Sequence, residues 1–183
     1  KHEGVVGLSV GTRPDCVEKE VLKLLASYKE RFLVWLELGL QSAHDTTLLQ
    51  INRGHDVACF DRAVAEAHER GLNVCAHVIL GLPGESREMM METALHLGGL
   101  QVEGVKVHAL YVVEGTPLAR AFERDGYRCL EREEYVEILL DFLERLPPAV
   151  VVQRLTGDPM PAELVAPPWV REKAKTLNLI AKR

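Results

Sequence analysis

The sequence predicts an α/β fold, with parallel strands and covering helices forming an incomplete (β/α) barrel. Three observations carry this reading. Short apolar runs alternate with stretches of helical periodicity in the order β-α-β-α-β-α-β-α-α-β, the mark of a parallel sheet joined by crossover helices. The runs are near-continuously apolar rather than alternating, as in strands covered on both faces. The 183 residues supply five such strands, whereas a closed eight-stranded barrel takes about 200 to 250 residues or more.

Taken in order, residues 5–10 form a short apolar run stopped by Gly11 and Pro14, the first strand. Asp15 can then cap a helix on which Val17, Val21, Leu24, Leu25, Tyr28 and Phe32 share a face. Residues 33–40 are the second strand, and 41–56 read as a loop with Asn52 and Gly54 as turn residues. Val57, Phe60, Val64 and Ala67 mark a helix that Gly71 stops. The third strand, 73–80, breaks at Gly81-Leu82-Pro83-Gly84. Ser86 can cap the next helix, in which Met89, Met90 and Met91 read as packing residues.

The fourth strand is read over 104–112. Gly115-Thr116-Pro117 opens a short helix ending near Gly126. Residues 132–146 place Val136, Leu139, Leu140, Leu143 and Leu146 on one helical face before Pro147-Pro148 ends the run. The fifth strand is 149–155. The chain thus divides into a βα unit over residues 1–158 and an extension over 159–183, rich in proline (159, 161, 167, 168) and then basic.

Composition narrows the function classes. At 47% apolar and 27% charged residues, the chain can bury a core and is neither disordered nor collagen-like. No apolar run approaches the roughly eighteen residues of a membrane span, and no charged-then-apolar leader is visible. A net charge of −5, from 27 acidic and 22 basic residues, argues against a strongly basic nucleic-acid binder but leaves room for a local patch. Cysteines at 16, 59, 75 and 129 match no C-x2-C zinc knuckle and no tight iron–sulfur run. They read as small buried hydrophobes in a reducing, cytoplasmic protein, and the chain itself offers no metal ligands.

In such a sheet ligands gather at the carboxyl ends of the strands, and all five ends here are polar or glycine-rich. Gln41 can both donate and accept, as a sugar hydroxyl or an adenine edge requires. Arg53 could clamp a carboxylate with its fork. His77 should share a face with Cys75 and Ile79 by strand alternation, directed into the barrel; it and His108 also read as satisfied core histidines. The turn from Gly81 to Glu85 lacks the lysine and spacing of a phosphate loop and suits a flat ring resting on backbone. The segment 171–183 could touch RNA phosphates or form a solvated helix. No Ser-His-Asp set and no H-E-x-x-H is seen, and Lys106 lies inside its strand rather than at the end, which disfavours an aldolase.

Several motifs stand together. ELGLQS at 37–42, INRGH at 51–55 and HVILGLPGE at 77–85 are joined by GTRPDCV at 11–17, VKVHALYVVEGTPLA at 105–119, EEYVEILLDFLERLPP at 133–148 and RLTGD at 154–158. The chain resembles the second half of the radical S-adenosylmethionine (SAM) core, in the branch of the Elongator catalytic subunit and oxygen-independent coproporphyrinogen oxidase, and most closely the YhcC/YtqA subgroup. The resemblance implies a partial (β/α)6 TIM-like barrel holding a 4Fe-4S cluster and SAM, and a 5′-deoxyadenosyl radical that abstracts a substrate hydrogen. It further implies a reductant such as flavodoxin or ferredoxin, and for some members of the subgroup the wobble uridine of tRNA as substrate.

By motif matching, Gln41 and Arg53 would fall near the ribose or methionine part of SAM. His77 would lie near the ribose and adenine, and the backbone at Ile79, Gly81 and Ala109 along the adenine. Two departures stand out. The C-x3-C-x2-C cluster motif of the family is absent from these residues and is expected before Lys1, so the chain alone is expected to be inactive. Distant relatives also read E-T-R-P-D where this chain has Gly11-Thr12-Arg13-Pro14-Asp15. The alternative reading is a non-catalytic βα scaffold that binds a nucleotide or a protein partner.

Overall fold

The computed structural model describes residues 4–124, 126–160 and 162–183. Five parallel strands form one sheet in the order β1 (Gly7–Thr12), β2 (Leu33–Gln41), β3 (Asn73–Leu80), β4 (Gly104–Ala109) and β6 (Val151–Arg154). A two-stranded antiparallel sheet joins β5 (Val112–Val113) to β7 (Leu164–Ala166). The helices are α1 (Lys19–Ala26), α2 (Asp45–Gln50), α3 (Val57–His68), α4 (Arg87–Leu100), α5 (Pro117–Arg124), α6 (Arg132–Glu144) and α7 (Lys173–Ile180). Among the described residues no helix is long and apolar enough to cross a membrane.

Strand alternation sorts the side chains. Val34, Leu36, Leu38 and Leu40 of β2, Val74, Ala76, Val78 and Leu80 of β3, and Val105 and Val107 of β4 are buried against α3, α4 and α6. Phe60, Leu97, Leu139 and Phe142 come from those helices into the same core. The opposite positions (Trp35, Glu37, Gln41, His77, Ile79, Lys106 and His108) are only half-buried. The expectation of strands covered on both faces is therefore corrected. Among the residues of that second face stand the polar Glu37, Gln41, His77, Lys106 and His108, and the helices cover only the other face.

Tyr135 of α6 ties the far end of the chain to this core. It is fully buried, its hydroxyl donates to the Leu155 carbonyl at 2.8 Å, and its ring lies 5.4 Å from that of Trp169. Trp169 Nε1 donates in turn to the Leu130 carbonyl at 2.9 Å. The proline-rich stretch thus returns to the core through Trp169 and Val170. Of its prolines, Pro161 lies outside the described residues.

Several boundaries differ from the sequence reading. The first strand begins at Gly7 and runs to Thr12. Asp15 does not cap α1; it pairs with Arg13 in a 3-10 turn over Pro14–Cys16, and the helix starts at Lys19. Leu22 and Leu25 are the buried residues of α1, while Val21, Leu24 and Tyr28 are exposed, because only one side of this eight-residue helix meets the core. The stretch read as a loop contains α2, and Asp56 caps α3 by accepting from Cys59 N at 2.7 Å. The fourth strand stops at Ala109, where Leu110 N bonds to the Leu80 carbonyl at 3.0 Å, and Val112–Val113 pairs elsewhere. Cys75 and Cys129 are buried as expected; Cys16 is exposed and Cys59 half-buried.

Replacing Tyr135 by Phe should cost about 1 kcal/mol, the net worth of one hydrogen bond. Replacing it by Ala should cost about 3–5 kcal/mol through the cavity left behind. Urea unfolding of the two variants separates these terms.

Candidate functional site: a hollow at the strand ends

The site is built on the half-buried face of the sheet. Register places Glu37 of β2 opposite Cys75 of β3, and His77 of β3 opposite Lys106 of β4. Glu37 gathers donors from three strands. Ser9 Oγ of β1 donates to Oε1, while Lys106 Nζ and His77 Nε2 donate to Oε2, the latter at 2.7 Å. A carboxylate can only accept, so this contact fixes the proton of a neutral His77 on Nε2. Burial alone would raise the Glu37 pKa, but the bonds from Lys106, Ser9 and His77 outweigh it and hold it down at about 2. Burial lowers His77, with Glu37 opposing.

Directly beyond this layer, toward the carboxyl ends, lies a hollow of about 310 Å³ lined by Gln41, His77, Ile79, His108, Ala109, Leu110 and Tyr111. The His108 ring stands 5.6 Å from that of His77, tilted by 33°. Burial, then the neighbouring His77, Arg154 and Lys106, lower the His108 pKa to about 4. Gln41 has a φ of +73° at a register shift between β2 and β3, a left-handed conformation uncommon outside glycine. That turn re-aims the end of β2 beside the hollow.

Arg53 adjoins this end of β2. Its Nη2 donates to the Gly39 carbonyl at 3.2 Å, and the ring of His55 reaches the same oxygen through Nε2 at 3.1 Å. The Nε of Arg53 is buried with no hydrogen-bond partner among the described residues. Gly39 makes the approach possible. A Cβ there would collide with Arg53 Nη2 and stand 2.5 Å from Gln41 Nε2.

Of the residues singled out from the sequence, Gln41, His77, Ile79 and Ala109 are thus brought together; Arg53 lines a neighbouring hollow with Asn52 and His55 and comes beside Gln41 over Gly39. Gly81 does not join them. Its carbonyl accepts from Tyr127 at 2.7 Å, its N–H faces Met90 Sδ at 3.2 Å, and it lines a different hollow with Leu82, Glu85, Tyr127 and Leu130. The turn is packed against Tyr127 and Leu130 from the irregular stretch between α5 and α6. Sequence reading passed over Glu37 and Ser9 as site residues and weighed Lys106 only as a strand-end lysine. Their signal was the i, i+2 spacing of Glu37-Gly39-Gln41, Cys75-His77-Ile79 and Lys106-His108, taken across strands instead of one strand at a time. All four cysteines are free, and among the described residues no group of three or more His, Cys, Asp or Glu could hold a metal ion.

Comparison with known proteins follows this geometry. Residues 1–97 match the family model described as the Radical SAM superfamily. The chain belongs to the radical SAM superfamily. Residues 102–183 match the radical SAM C-terminal domain. It is 46% identical over 183 residues to MJ0486 of Methanocaldococcus jannaschii, covering 99% of this chain and 57% of that protein. It is 42% identical over 180 residues to YtqA of Bacillus subtilis, covering 98% and 56%. A tRNA uridine(34) acetyltransferase of Methanocaldococcus infernus is 31% identical over 169 residues, 90% of this chain and 30% of that one. Among solved structures, the Methanocaldococcus infernus Elp3 with an N-terminal deletion superposes with a TM-score of 0.77 at 27% identity, over 97% of this chain and 43% of that one. The chain spans little more than half the length of MJ0486 and YtqA, and the parallel five-stranded α/β sheet is that of the radical SAM barrels.

The half-buried layer predicts two acid limbs in stability. His108 titrates near 4 in the folded protein against an ordinary 6.5, and His77 is lowered as well. The unfolded chain therefore takes up these protons first, and stability falls as pH drops from about 6.5 to 4. Glu37 lies near 2 against 4.5, so its contribution is present above 4.5 and lost as pH falls toward 2. In urea unfolding across pH, His108→Asn should flatten the upper limb and Glu37→Gln the lower.

Proposed function

We propose that this chain is the SAM-binding part of a radical SAM enzyme that modifies the wobble uridine of tRNA. The observation that supports it is the meeting of Gln41, His77, Ile79 and Ala109 around one hollow, with Arg53 beside it. Apolar walls from Ile79, Ala109 and Leu110, with a few converging polar groups, suit a nucleoside. The unpartnered, buried Nε of Arg53 is a donor that lacks an acceptor, and an amino-acid carboxylate would satisfy it. Gly39 leaves the space in which that guanidinium and the Gln41 amide come together. These residues fit SAM.

The cysteines do not fit a 4Fe-4S cluster, since one is exposed, one half-buried and two buried, and no metal-holding group forms among the described residues. When both are bound, SAM and the cluster supply a 5′-deoxyadenosyl radical in this family, with electrons from a flavodoxin or ferredoxin. The part of this chain is to hold the adenosyl group. His77, held by Glu37, keeps its Nδ1 as an acceptor. Arg53 would orient the methionine end, and the sheet walls exclude water from one side of the ribose.

The tRNA substrate rests on the relative whose name is tRNA uridine(34) acetyltransferase. The YhcC/YtqA branch would then act on the same nucleoside position. Cells lacking the gene should lose one modified wobble nucleoside in mass spectrometry of digested tRNA. An unchanged nucleoside profile would remove tRNA from the reading and leave the cofactor site standing.

Titration calorimetry on the protein as its gene encodes it tests the cofactor site. SAM should bind, and Gly39→Ala, which drives a methyl group into Arg53 and Gln41, should weaken it at least tenfold, about 1.4 kcal/mol. Arg53→Lys, which loses the fork, should also weaken it. Absence of binding by the unaltered protein would sink the assignment.

A further inference from the structure

The hollow holds two imidazoles in unlike states. His77 is anchored, since Nε2 donates to Glu37, and Glu37 is itself held by Ser9 and Lys106. His108 lines the same hollow, yet among the described residues no protein group is hydrogen-bonded to its ring nitrogens. It is not a loose surface histidine. It sits on β4 between Val107 and Ala109, both buried, and its ring is flanked by that of His77 at 5.6 Å. The adjoining rim is firm as well. Tyr111 packs over Gly157, where a Cβ would stand 3.0 Å from its Cε1. A half-buried polar ring with a fixed flank and no protein partner keeps its hydrogen-bonding capacity for water or for a ligand that displaces it.

We propose that His108 is a ligand-contacting residue of this hollow, giving one ring-nitrogen hydrogen bond to the polar edge of a nucleic-acid base. The inference rests on the reading of the hollow as a nucleoside site and goes beyond it by naming the residue that reads the base. Burial keeps the ring uncharged at neutral pH, so it offers one N–H and one lone pair. The two point away from each other, so one ring nitrogen at a time faces a base edge, and the edges of adenine and uracil each offer a partner to either. A phosphate or a carboxylate would be met better by a cation. The base can be the adenine of SAM or the substrate uridine, and the two are separable.

The test uses two probes, S-adenosylhomocysteine and an RNA anticodon stem-loop carrying an unmodified wobble uridine. Both are titrated into the unaltered protein and into His108→Phe and His108→Gln, with thermal melts as a check on folding. His108→Phe keeps a flat ring without nitrogen atoms and should weaken one of the two probes about three- to tenfold, the range of one lost hydrogen bond. His108→Gln should restore most of the loss. Weakening confined to S-adenosylhomocysteine assigns the adenine; weakening confined to RNA assigns the uridine. In the unaltered protein the ring 15N resonances of His108 should move on adding the same probe, while those of His96, paired with Asp61 at 2.8 Å on the helices, stay in place. This readout stands even where a variant fails to fold. Equal affinities in all three proteins with a static His108 resonance would overturn the inference alone. Failure of the unaltered protein to bind either probe would overturn the nucleoside reading and the inference with it.

Discussion

A carboxylate on the inner face of a sheet must find compensation, and the arrangement of this molecule follows from how Glu37 finds it. Stripping water from the charge costs several kcal/mol, which only close, well-directed donors offset. Ser9, His77 and Lys106 arrive from three strands and give donors to both oxygens. None of them is near Glu37 in sequence; Lys106 is 69 residues away. A one-residue slip of any of these strands would turn its donor to the helix side and send a core residue such as Leu36, Val78 or Val107 to the polar side. The hydrophobic face and the polar face thus specify the same register, each penalising the slips the other would tolerate.

The site inherits its order from that layer. The next residues along the strands are Gly39, Ile79 and His108, and they begin the hollow. The backbone of β2 then departs from regular strand at Gln41, whose positive φ costs of order 1 kcal/mol or more unless its surroundings hold it. What surrounds it is Gly39, without a side chain, and Arg53, arched over the Gly39 carbonyl. The glycine and the arginine are therefore one device. The arginine needs the space the glycine leaves, and its buried Nε has no hydrogen-bond partner among the described residues.

The sequence revealed what periodicity controls and hid what distant pairing controls. The third strand was legible to the residue over Asn73–Leu80, because an apolar run between Gly71 and Gly81 admits little else, and alternation then put His77 with Cys75 and Ile79. Glu37 and Lys106 were invisible as partners, since each is a single polar residue in an otherwise apolar run. The phase of α1 went astray because Val21 and Leu24 compete with Leu22 and Leu25 for the same period, and only α3 decides between them. A six-residue helix without a side-chain cap, α2, carries almost no local signal. The proline-rich stretch concealed Trp169, whose burial depends on Tyr135 and Leu130.

The charges bear on how RNA would be met. In the basic segment read as a possible phosphate contact, three cations face carboxylates: Lys173 meets Asp158 at 3.6 Å, Lys175 meets Glu172, and Arg183 meets Glu137 at 3.7 Å. Arg13, Arg87 and Arg128 are likewise matched with Asp15, Asp141 and Glu134. A surface so neutralised, on a chain of net charge −5, releases few counterions on meeting a phosphate backbone. On the proposed reading, these paired side chains would add little to the binding of an RNA backbone.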